Sequence, residues 1–257
     1  MPISGLNLLS GIGMIAVGAG AMVYWHLKYR TGLKYFLLGG ILWAIAIGIK
    51  LVMDLTITQP IQSGLLADFP VFTVIVIMSL YLGLRTGFLE SGITYLVVKH
   101  TSLASSGYKE AVALGIGFGG AEAIVLGISS LASVLALLLS PALQGTLTPS
   151  ILAQFAPAFI PIPVIERVFT LFIHVFAVVL VVYAVRCGQL RWLWLSIFLK
   201  TITDGALPLF AYYFTAPGIR SLLPVEGYIA VLGIICLAGL YVIQERFNEL
   251  PVIPELE

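Results

Sequence analysis

Long apolar runs alternate with short polar breaks along almost the whole chain. A hydrocarbon core of roughly 30 Å needs ~20 helical residues. Seven runs reach that length, at approximately 5–26, 33–53, 71–98, 110–139, 164–185, 191–214 and 226–245. No period of 20–50 residues repeats. The pattern predicts an all-α, polytopic membrane protein of about seven transmembrane helices, built as one domain over 1–257.

Two of the breaks are unusually apolar. Residues 140–163 hold Pro141, Pro149, Pro157, Pro161 and Pro163 and no charge. Prolines this dense break a long helix, so the segment reads as an interfacial or re-entrant piece. Residues 54–70, with Asp54, Pro60 and Pro70, read the same way.

Basic residues fall on alternate breaks. Lys28, Arg30 and Lys34 follow the first run, Lys99 and Lys109 the third, Arg186 and Arg191 the fifth, and Arg246 the seventh. The other side carries Lys50 and Arg220. The positive-inside rule then predicts the N-terminus out and the C-terminus in, with a short acidic tail from Glu245 to Glu257 in the cytoplasm. The basic cluster follows the first apolar run instead of preceding it, so that run reads as a span and not as a cleaved signal.

Composition agrees. The chain is 60% hydrophobic and 10% charged, with mean hydropathy +1.08. That is too little charge to cover a soluble surface, so the expected location is the cell membrane, multi-pass, with the lipid bilayer as first partner. A net charge of +1 gives no support for a nucleic-acid partner. Cys187 and Cys236 have no metal or disulfide spacing and read as packing residues.

Against this apolar background a few charges lie deep within the runs. At ~1.5 Å per helical residue, Glu90 and Lys200 fall ~13 Å from the inner boundary, and Glu122, His174 and Asp204 ~18–20 Å. Ionisable groups at such depth mark functional-site candidates. Glu166, Thr170 and His174 are spaced to share a helix stripe, and Lys200 is spaced to pair with Asp204 along one helix. Arg85 is in reach of Glu90 or of a helix carbonyl. Gly115, Gly119, Ala123 and Gly127 recur every fourth residue, a stripe that admits another backbone closely. These features predict a hydrated pocket at a tight helix junction around Glu122.

Four segments carry a family resemblance. They are Phe88-Leu89-Glu90-Ser91-Gly92-Ile93-Thr94, Gly117-Phe118-Gly119-Gly120-Ala121-Glu122-Ala123, Glu166-Arg167 with Phe169 and His174, and Lys200-Thr201-Ile202-Thr203-Asp204. Over roughly residues 80–210 the chain resembles the YhfC family of glutamic-type intramembrane (metallo)proteases, related to the CAAX prenyl endopeptidases and PrsW. The resemblance implies a hydrolase in which Glu90, Glu122, His174 and Asp204 form the catalytic set. His174, Asp204 and Glu122 would then hold any divalent metal, such as zinc. A Glu would act as general base on a water attacking a peptide bond.

The family pattern is broken in three places. The second Glu and the Arg of its first motif are absent, and the histidines of its second and fourth motifs are replaced by Phe118 and Lys200. Phe cannot ligate zinc, and Lys does so poorly because its amine is normally protonated. The donor set therefore favours no metal, and a weak or inactive protease: a pseudoenzyme that binds a membrane peptide or a partner transmembrane helix. Lys200 would supply, as a fixed charge, what a metal supplies elsewhere, pairing with Asp204 and with Glu122 or Glu90. Two other classes fit the same buried charges: a proton-coupled transporter, against which no inverted repeat is visible, and a structural subunit docking through the glycine stripe.

Overall fold

The computed structural model describes residues 3–215 and 219–250. The end of the acidic tail, after Leu250, lies outside them, as does the side chain of Arg220. Among the described residues every regular element is helical. Seven helical segments are long and apolar enough to cross a membrane: Gly5–Tyr29, Leu33–Asp68, Val71–Lys99, Tyr108–Leu139, Pro157–Cys187, Arg191–Tyr213 and Leu222–Asn248. They coincide with the seven predicted runs, with one extension.

That extension is the second span. Helix α2 (Leu33–Met53) passes through a π turn at Asp54–Thr58 straight into α3 (Gln59–Asp68). The segment after residue 53 is therefore not a separate interfacial piece. Pro60 lies in the first turn after the π turn. The wider π turn just before it gives room for the ring and for the missing N–H inside a continuous helix. The resulting rod has 36 residues, roughly 54 Å at ~1.5 Å per residue, and so outreaches a ~30 Å hydrocarbon core.

The proline-rich segment does break up, as expected. After α6 (Tyr108–Leu139) come α7 (Pro141–Gln144), α8 (Pro149–Ala153) and a 3-10 turn at Pro157–Phe159, each opening on its proline. The first span ties this segment down. Asn7 Nδ2 donates to the Phe155 carbonyl at 2.8 Å and Ser10 Oγ to the Ile160 carbonyl at 2.7 Å.

The bundle centres on α9 (Ile162–Cys187). In its most apolar stretch 72% of residues are buried, against 33% or less in every other span. Helix α6 packs along it, and also along α1 (Leu8–Tyr29) and α2. Glycines make this possible. A Cβ on Gly119 would sit 2.9 Å from His174 Cβ, and one on Gly39 only 2.0 Å from the Leu114 carbonyl oxygen. The predicted small-residue stripe is divided between two partners: Gly115 and Gly119 face α9, while Gly127 faces Gly11 of α1. On the other side of α9 lie α10 (Leu190–Gly205) and α12 (Ile219–Asn248). Helix α10 in turn packs on α4 (Val71–Thr86), which reaches α5 (Gly92–Lys99) through a second π turn at Gly87–Ser91. A short α11 (Leu207–Tyr213) completes the sixth span.

Candidate functional site

Five spans deliver charged side chains to one place. Helix α2 brings Lys50, the π turn after α4 brings Glu90, α6 brings Glu122, α9 brings Arg167 and His174, and α10 brings Lys200. Glu90 sits in the wider π turn, a geometry common at functional sites because it redirects one side chain out of the regular helical register. Gly119, with no side chain, lets α6 lie directly on His174, and so brings Glu122 within reach of it.

The contacts form a chain. Lys50 Nζ donates to Glu90 Oε1 at 2.7 Å. Lys200 Nζ lies 2.6 Å from Glu90 Oε2 and donates to His174 Nδ1 at 2.6 Å. With Nδ1 accepting, the imidazole carries its proton on Nε2, which faces Glu122 Oε2 at 3.2 Å. Trp43 Nε1 donates to the same oxygen at 3.1 Å. The other oxygen, Glu122 Oε1, pairs with Arg167, whose second nitrogen pairs with Glu166. Phe118 covers the middle of the chain. Its ring centre is 5.3 Å from the His174 ring and 5.4 Å from the Lys200 ammonium, inside the range where a ring face attracts a cation.

Burial makes these pairings obligatory. Glu90 and Lys200 each show 5% of their side-chain surface, and Arg167 and His174 9% each. Unpaired charges so placed would cost several kcal/mol each. The chain is also self-neutralising. Lys50, Lys200 and Arg167 face Glu90, Glu122 and Glu166, with the His174 ring between them.

The structure thus brings together Glu90, Glu122, His174 and Lys200 as expected, with Lys200 on Glu90, but leaves Asp204 out of the chain. Lys200 makes no ion pair with Asp204. Asp204 instead accepts from Thr86 Oγ1 at 2.6 Å and forms no ion pair among the described residues. The lysine turns from its own helix because α9 and the π turn present two partners across the interface, whereas an i, i+4 pair in the same helix gives little. Arg85 does not reach Glu90. It pairs with Asp54 in the other π turn and donates to Thr58 Oγ1 at 3.2 Å. Glu166 and Arg167 belong to the site, since Arg167 pairs with both Glu122 and Glu166.

Two members of the site carry no motif in the sequence. Lys50 stands near the end of its apolar run, and Trp43 is one aromatic among many. Lys50, the only charge in the second run besides Lys34 at its start, is the signal the sequence offers for it.

Metal ligation by these residues is a poor fit. Each Glu90 oxygen faces an ammonium, both nitrogens of His174 are engaged, and Glu122 meets an arginine, an indole and an imidazole. Among the described residues no three His, Cys, Asp or Glu side chains are grouped closely enough to hold a metal.

A family model described as YhfC intramembrane metalloprotease matches residues 13–229. The chain belongs to that family. The match begins in the first span and ends in the seventh, well beyond the segments 80–210 that carry the motifs, so the YhfC likeness includes the helices delivering Lys50 and Trp43. No curated protein and no solved structure matches the chain.

Proposed function

We propose that this YhfC family member keeps the intramembrane protease scaffold but has exchanged metal-dependent hydrolysis for a fixed charge network, and that it binds a membrane-embedded peptide segment without rapid turnover. The observation carrying this reading is the Lys200 ammonium, 2.6 Å from both Glu90 Oε2 and His174 Nδ1. A general base needs a free oxygen facing a water. Glu90 has a cation on each oxygen, and Glu122 is clamped by Arg167, so neither is free to act as one.

The proton-coupled carrier is supported less well. A relay requires each link to give up and regain a proton. Arg167, between Glu166 and Glu122, stays protonated in proteins. The outermost acid, Glu166, is therefore cut off from the inner chain.

The test pairs the native chain with Phe118→His/Lys200→His, which restores the imidazoles of the family pattern. Native protein in detergent is expected to carry less than stoichiometric zinc and to leave a model transmembrane substrate uncut while co-purifying with it. The double variant is expected to gain zinc, because two neutral imidazoles replace a ring and an ammonium next to His174. Glu122-dependent cleavage by the zinc-free native protein would overturn the proposal.

A further inference from the structure

Away from the charge chain, a cavity of about 590 Å³ opens between the first, fourth, fifth and seventh spans. Its size falls in the range of small-molecule sites. Its inner wall is apolar and includes Ile116, Leu171, Val175 and Leu237. Its mouth is cationic and aromatic, at the end of the bundle where the basic connections gather.

The charges at the mouth are incompletely answered. Lys28 Nζ and Lys109 Nζ lie over the same Tyr29 ring, 5.3 and 5.5 Å from its centre. Lys28 also donates to the Tyr24 hydroxyl at 2.7 Å. Among the described residues neither ammonium has a carboxylate within ion-pair distance. Glu110 lines the same mouth, but its carboxylate turns back to Gly107 at the start of α6. Two exposed ammoniums thus share one neutral ring above an apolar slot that opens between transmembrane helices.

We propose that this cavity is a binding site for an anionic phospholipid. The phosphate bridges Lys28 and Lys109, and an acyl chain runs along Ile116, Leu171, Val175 and Leu237. Like charges held over one ring repel, and an anion between them removes that repulsion. Tyrosines at such a level suit the headgroup boundary. Anionic lipid is the membrane ligand that carries both the charge and the chain this slot accommodates. The proposal does not depend on the charge network or on proteolysis.

Native mass spectrometry of the purified full chain, titrated with phosphatidylglycerol or phosphatidylcholine of matched chains, tests it. Phosphatidylglycerol is expected to be retained preferentially. Lys28→Gln/Lys109→Gln is expected to weaken it on the order of thirty-fold, while Lys28→Arg/Lys109→Arg keeps it. Leu237→Trp, which obstructs the slot and leaves both lysines in place, is expected to weaken it as well. Equal retention of the two lipids, or an unaffected glutamine variant, would refute the site. Competition by glycerol phosphate at the same concentration, or full retention by Leu237→Trp, would mean a soluble-anion site and would overturn the lipid assignment.

Discussion

Lys50 on the second span donates to Glu90 on the third at 2.7 Å, inside a bundle where both are buried. Glu90 therefore balances two ammoniums, since Lys200 faces its other oxygen. Removing one partner of a buried pair leaves the other uncompensated, at a cost of ~3–5 kcal/mol. Glu90→Gln, which strands both ammoniums, is expected to lower the melting temperature in detergent markedly, and Lys50→Met, which leaves Glu90 paired with Lys200, to lower it less. Lys50→Met/Glu90→Gln, which strands only Lys200, is expected to recover part of the Glu90→Gln loss. No recovery in the double variant would show that Lys50 is free to reach solvent.

Lys200 offers a sharper comparison. The contact with Glu90 predicts a coupling energy within the ~0.5–3 kcal/mol usual for touching residues. The absent pair with Asp204 predicts a smaller one. Double-mutant cycles with Lys200→Met, Glu90→Gln and Asp204→Asn, read from denaturation midpoints, measure both. Larger coupling to Asp204 would mean that the lysine stays on its own helix.

Gly119 tests the seam that positions His174. An added methyl group would sit 2.9 Å from His174 Cβ and 3.0 Å from Leu171 Cδ1. Gly119→Ala must push α6 and α9 apart, an overpacking cost of ~1–3 kcal/mol. Gly48 in α2 has open space at the same position. Gly48→Ala is therefore expected to be neutral, or stabilising by ~0.5–1 kcal/mol, through reduced unfolded-state entropy. Equal melting of the two variants would remove the argument for a tight α6–α9 contact.

Arg167 serves Glu122 and Glu166 at once. A planar fork can do this and a single ammonium cannot match it. Arg167→Lys is accordingly expected to melt below native protein although the charge is kept. Arg167→Lys/Glu166→Gln, which leaves one carboxylate to satisfy, is expected to recover part of the loss. A native-like melt for Arg167→Lys would show that Glu122 does not need the guanidinium.

The number and approximate limits of the spans could be read from the chain alone, because crossing a bilayer demands length and apolarity that local sequence must supply. The same logic exposed Glu90, Glu122, His174, Asp204 and Lys200: charges are conspicuous where hydrocarbon excludes them. Partnership was decided only by packing. Lys200 faces Glu90 and His174, Arg85 faces Asp54, and Lys50 joins the site, because these choices depend on which helices are neighbours and how each is rotated. Two π turns, at Asp54–Thr58 and Gly87–Ser91, add a further rotation. Regular helical spacing does not encode it, so counting residues along one helix led to Asp204 when the nearer carboxylate lay across the bundle.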